Sequence, residues 1–190
     1  GTSSAAHIGH GGPMSGAVYS SGVAQNASIT ANVIGAIDLN AAANSAYAQI
    51  GHGGYGALSY TVSGADVSLN AAPGSGTGLI TLDGGTGTNS YAQIGHGGSR
   101  NNGDRRKDKD GVVESANGNA SSGSITVGAS LGIELRGGSN ADNFARIGHG
   151  GEGGLGPFSG VIALVSEGDL ILRGGSSTDA HAQIGHGGTN

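Results

Sequence analysis

An all-β chain is predicted, wound as a parallel β-helix (solenoid) of about three strands per coil and four to five coils, with loops inserted at one corner. Three observations carry this expectation. One phrase occurs five times: AHIGHGG from Ala6, YAQIGHGG from Tyr47 and again from Tyr91, FARIGHGG from Phe144 and HAQIGHGG from His181. Its Ile falls at Ile8, Ile50, Ile94, Ile147 and Ile184, at spacings of 42, 44, 53 and 37 residues, the kind of period that marks stacked repeats. Apolar residues between the phrases alternate as in half-buried strands, and no 3.6-residue period lasts long enough for a helix. Glycine supplies 42 of 190 residues, far above a usual share of about 7%, as tight corners require.

Each unit divides into three segments. Segment A is an alternating run, seen at SITANV from Ser28, SYTVSG from Ser59, SITVGA from Ser124 and GVIALVS from Gly160. Segment B follows as IDLNA from Ile37, ITLDGG from Ile80, IELRGG from Ile133 and LILRGG from Leu170, its first apolar residue lying 13, 14, 14 and 14 residues before the phrase Ile. In the third unit Ile125, Val127, Ala129, Ile133 and Leu135 form the dry face, with Thr126 and Glu134 between them. Segment C is the phrase itself. GG, GSN and GTGTNS runs separate the segments and carry turn chemistry. Antiparallel hairpins, which Gly-rich turns also link, are the competing account. They do not require one phrase in one phase five times.

Insertions follow segment C, the longest being a charged stretch at 99–123 with Arg100, Asp104, Arg105, Arg106, Lys107, Asp108, Lys109, Asp110 and Glu114. The chain, 1–190, is expected to form one solenoid domain, a segment of a longer repetitive protein or filament, because neither end reads as a cap.

The layout G-x-I-x-V-x-A followed by x-I-x-L-x-G-G, at Gly123–Ala129 and Gly132–Gly138, resembles the right-handed β-helical shafts of filamentous-haemagglutinin-like bacterial exoproteins and autotransporter passengers. The resemblance implies an extracellular or cell-surface location; with the repeat pattern, the expected role is structural, a rigid rod, fibre or adhesin shaft that associates laterally or end to end with neighbouring copies or adjoining repeats, with surface glycans as a further candidate partner.

Charge and composition narrow the partners. Thirteen acidic and eight basic residues give a net charge of −5, so neither nucleic acid nor an anionic membrane is expected. No apolar run approaches membrane-spanning length. Without cysteine there is no disulfide framework and no thiolate metal site.

His10, His52, His96, His149 and His186 share one position of the repeat and are expected to stack, closing a corner by hydrogen bonds to backbone. Packed neutral imidazoles make mild acid a stress on such a fold. The alternative is a Zn²⁺- or Cu²⁺-binding column, for which these five are the candidate ligands. On the opposite face of segment C lie Tyr47, Tyr91, Phe144 and His181, then Gln49, Gln93, Arg146 and Gln183. They form either a ladder stabilising its own coils or a lateral surface for a partner chain or glycan. A glycan-cleaving solenoid would use Asp38, Asp83 and Glu134 of segment B, but Arg136 and Arg173 lie one step away and no aromatic cleft accompanies them. No enzymatic activity and no cofactor are expected. Loose Ca²⁺ binding at Asp108–Glu114 is the weak exception, since the EF-hand ligand series is missing.

Overall fold

The computed structural model describes residues 4–10, 24–54, 61–98, 121–151 and 157–187. Among these there is no helix. One strand, β1 (Ala5–Ile8), is followed by four repeats of four strands each. The first repeat holds β2 (Ala24–Gln25), β3 (Ile29–Val33), β4 (Ile37–Asn40) and β5 (Tyr47–Ile50). The second holds β6 (Thr61–Val62), β7 (Val67–Ala71), β8 (Leu79–Asp83) and β9 (Tyr91–Ile94). The third holds β10 (Ser121–Ser122), β11 (Ile125–Ala129), β12 (Gly132–Arg136) and β13 (Phe144–Ile147). The fourth holds β14 (Phe158–Ser159), β15 (Ile162–Ser166), β16 (Asp169–Arg173) and β17 (His181–Ile184).

Every pairing is parallel and joins a strand to its equivalent four strands later. Four sheets result, in the orders β1-β5-β9-β13-β17, β2-β6-β10-β14, β3-β7-β11-β15 and β4-β8-β12-β16. That order is consistent with a parallel β-solenoid and leaves no place for hairpins. The last two sheets are segments A and B, and the five-stranded sheet is segment C, with one correction. In the second repeat the segment A strand is Val67–Ala71, and the SYTVSG run expected there contributes Thr61–Val62 to the short-strand sheet instead, because the core-facing alternation of Val67, Leu69 and Ala71 pairs in register with Ile29, Ala31 and Val33. Three strands per repeat were expected, and four are present. The extra strand is only two residues long, with sequences AQ, TV, SS and FS, too short and too dissimilar to carry an alternation signal.

Register follows the phrases. Ile8 pairs with Ile50, Ile50 with Ile94, Ile94 with Ile147 and Ile147 with Ile184. In segment B the column runs Ile37, Ile80, Ile133, Leu170. Alternating side chains of the A, B and C sheets meet in one apolar core that includes Leu69, Ile80, Leu82, Ile94, Ile125, Val127, Ile133, Leu135 and Ile147. Each buried aliphatic side chain contributes on the order of 2 kcal/mol by leaving water, so the register is fixed by the core face: a one-residue slip turns every such side chain outward.

Two backbone features hold the repeats at strand spacing. Gly51, Gly95 and Gly148, directly after the phrase Ile, have φ of +152°, +132° and +154°. A Cβ on any of them would overlap the carbonyl oxygen of the same glycine one repeat on. Ahead of each C strand, Ser45, Asn89, Asp142 and Asp179 take φ of 52–60°, the left-handed region that Asn and Asp tolerate best among residues with a side chain. The charged stretch falls largely at 99–120, outside the described residues, as do 11–23, 55–60 and 152–156 between the phrase and the next repeat.

Candidate functional site

Around the IGHGG corner, the five phrase histidines form one column. The rings of His10 and His52, His52 and His96, His96 and His149, and His149 and His186 stack with centroids 5.1, 4.8, 4.8 and 4.9 Å apart and planes within 15° of parallel. The rings of His52, His96, His149 and His186 are each bonded at both nitrogens. His52 Nδ1 accepts from the backbone N–H of His10, His96 Nδ1 from His52, His149 Nδ1 from His96 and His186 Nδ1 from His149, at 2.9–3.1 Å. On the other side, Nε2 of His52, His96, His149 and His186 donates to the carbonyls of Ala27, Ala65, Gly123 and Gly160 at 2.6–3.1 Å. Those carbonyls lie just ahead of segment A in the same repeat, so each imidazole ties the two ends of its repeat together and also docks the repeat before it.

The bonding fixes the tautomer: Nε2 carries the hydrogen and Nδ1 must stay bare. Burial pushes His96 down to about 3 and His149 to about 4, and lowers His52 as well; neighbouring imidazoles add to the effect. A metal ion on this column would displace a backbone partner at every ring it touched. Stacked planes also point equivalent nitrogens side by side, where a metal needs them to converge. No group of three or more His, Asp or Glu among the described residues is placed to hold a metal ion.

For the opposite row, burial favours the self-stabilising ladder over the lateral surface. Tyr47, Gln49, Tyr91, Gln93, Phe144 and Arg146 are buried, at 0–2% exposure, so they present no lateral surface; only His181 and Gln183 of the last repeat are half exposed. The cause is the phrase itself, whose tail packs over the outer side of the C sheet. A Cβ on Gly98 would lie 2.5 Å from the Tyr91 hydroxyl. Gln49 Nε2 is shared among the carbonyls of His52, Gly95 and Gly97 at 3.0–3.2 Å, and Gln93 Nε2 among those of His96, Gly148 and Gly150 at 2.8–3.2 Å. Tyr47, Tyr91 and Phe144 stack at 5.1 and 4.8 Å. The Tyr91 hydroxyl donates to Gln49 Oε1 at 3.3 Å. One repeat further the ring is Phe144, which has no hydroxyl, and Gln93 Oε1 has no donor among the described residues.

Arg146 stands where Gln49 and Gln93 stand in the earlier repeats. Its guanidinium is fully buried and lies 5.1 Å over the Phe144 ring. Nη2 approaches His181 Nε2 at 3.2 Å, while Nε and Nη1 have no partner among the described residues. Burial lowers its pKa to about 10, so the cation persists at neutral pH without a counter-charge among the described residues. Replacing Arg146→Gln restores the amide that fits the glycine carbonyls and removes a buried charge. It is expected to stabilise the fold by about 1–4 kcal/mol, the range seen when buried ion pairs are replaced by neutral residues; a lower midpoint in urea would contradict this account.

The segment B carboxylates do not converge. Asp38 and Glu134 occupy one column with Thr81 between them, whereas Asp83 lies in the next, with Asn40, Arg136 and Arg173. Glu134 takes a bidentate contact from Arg136 at 3.0 and 2.7 Å and a third from Arg173 at 3.2 Å. Hydrogen bonding to Arg136 is the main cause holding its carboxyl below the usual range. A general acid needs the opposite shift.

Sequence reasoning missed Asn143, which is fully buried. Its Oδ1 accepts from the Ser90 N–H at 3.1 Å, with the Ser90 hydroxyl, whose proton goes to Gly87 O at 2.6 Å, beside it, and its Nδ2 donates to Gly85 O at 2.9 Å. The position is Ala46 and Ser90 in the preceding repeats, so no periodic signal marks it. Comparison with family models, with curated proteins and with solved structures finds no match.

Proposed function

We propose that this chain is a structural repeat protein of the extracellular space or cell surface: four closed coils after a leading strand, acting as part of a rigid rod, fibre or adhesin shaft like the exoprotein shafts it resembles. The observation that carries this reading is that all four sheets keep one register from repeat to repeat, with the histidine, aromatic and amide columns running through the same stack. Such continuity gives stiffness along the axis and needs no active-site cleft. Because the Tyr and Gln columns are interior, self-association runs end to end, between neighbouring copies or adjoining repeats.

The dimensions support association. Five strands at about 4.8 Å spacing span only about 19 Å, so a rod requires further coils on the same axis. At β16, Leu170 and Leu172 are 49% and 44% exposed in columns that are buried within the stack. Negative-stain micrographs with sedimentation velocity test the proposal: filaments or elongated particles, growing with concentration, are expected. Compact monomers at every concentration would remove the self-assembly reading and leave the fold intact.

A further inference from the structure

On the outer face of sheet A, a ladder of amides stops one rung short. Asn32, Asn70, Gly128 and Val165 occupy one column on successive strands. Asn70 Nδ2 donates to Asn32 Oδ1 at 2.9 Å, which turns Asn70 Oδ1 toward the third rung. The third rung is a glycine. Asn70 Oδ1 lies 2.5 Å from where a Gly128 Cβ would be and accepts no hydrogen bond among the described residues. The missing side chain opens a notch of about 230 Å³ lined by Asn70, Pro73, Thr126, Val165 and Glu167. Thr126 is exposed on the same strand and face as Gly128, and Val165 is 65% exposed directly across from it.

This set of groups specifies its ligand. Asn70 Oδ1 requires an N–H donor, the Thr126 hydroxyl can meet a carbonyl acceptor, and Val165 with Pro73 offers contact to a small apolar group. A secondary amide bearing a methyl group combines all three. Glu167 at the rim adds an acceptor for ligand hydroxyls. We infer that the Gly128 notch binds the acetamido group of an N-acetylated amino sugar, which gives the shaft a glycan contact on sheet A. The inference needs only the register of β7, β11 and β15, so it stands or falls separately from self-assembly into rods.

The test is saturation-transfer NMR on the whole chain with chitotetraose, against cellotetraose, which has the same linkage and lacks the acetamido groups. Transfer to the chitotetraose acetyl methyls is expected, with none to cellotetraose. Gly128→Asn should abolish it, because its Cβ would lie 2.5 Å from Asn70 Oδ1 and displace that acceptor from the notch, and thermal unfolding checks that the variant is folded. Should that variant fold poorly, Thr126→Val is expected to weaken chitotetraose binding by about three- to tenfold, the loss of one neutral hydrogen bond. Equal transfer to both sugars, no transfer to either, or full binding retained in folded Gly128→Asn or in Thr126→Val would overturn the assignment.

Discussion

Acidification from neutrality to about pH 5 should lower the stability of this fold by about 4 kcal/mol through His96 and His149 alone. In the unfolded chain each imidazole titrates near 6.5, while in the fold burial holds them at about 3 and about 4. The unfolded state therefore takes up protons first as the pH falls. The stabilisation is complete above about 6.5 and is lost progressively toward the folded values. At pH 5 each ring contributes a deficit of about 1.5 pH units, or about 2 kcal/mol, by proton linkage. His52, His7 and His181, whose pKa values burial also lowers, act in the same direction. The geometry explains why the protein cannot adapt: Nε2 already donates to a carbonyl, so the proton must enter at Nδ1, where the preceding repeat's backbone N–H is docked. Guanidinium unfolding at pH 7.5, 6 and 5 measures the effect. Midpoints that stay level over that span, which lies above the titration of ordinary carboxylates, would show that the column is not the neutral, doubly bonded stack described.

Substituting Gly95→Ala is expected to cost more than about 4 kcal/mol, the range reserved for changes with a specific structural cause. Two penalties coincide. At φ of +132° a side chain strains its own backbone, and the added Cβ would overlap the Gly148 carbonyl of the next strand. That carbonyl cannot step aside, because Gln93 Nε2 is bonded to it at 2.9 Å and because Gly148 N–H is itself bonded to Ile94 O at 2.9 Å. The repeats would have to part at the point where the histidine and amide columns meet. A reference is Gly64→Ala, at a left-handed φ of +66° with open space around its Cβ. It measures the cost of a side chain at a left-handed position with no overlap. If the two variants unfold at the same denaturant concentration, close coil approach at the phrase is not what demands glycine there.

How much of this was legible beforehand differs by feature. Phrase period and alternation are properties of the chain, and they anticipated parallel strands, the in-register Ile column and the stacking of His52 on His96. A two-residue strand such as Ser121–Ser122 carries no period, so the fourth sheet was not recognised, and its member Thr61–Val62 was read as part of segment A. Asn143 stands at a position that other repeats fill with Ala or Ser, so only its neighbours reveal its task. The segment B acids looked equivalent until the pairing assigned Asp83 to the Arg136 column and Asp38 to that of Glu134.

The sequence by itself determined which residues repeat, which face of the B strands and of three of the four A strands is dry, and where glycine is indispensable, because those follow from local sterics and from a period that survives without coordinates; the second A strand, Val67–Ala71, was misplaced onto the neighbouring SYTVSG run. Only the tertiary structure decided the fate of the Tyr and Gln row. Alternation places these side chains opposite Ile and therefore outward, yet the backbone of the Gly-His-Gly-Gly tail folds over that side and turns an apparent surface into a second, polar interior. Burial depends on what chain segments come to lie above a strand, and strand periodicity records only the side on which each residue starts.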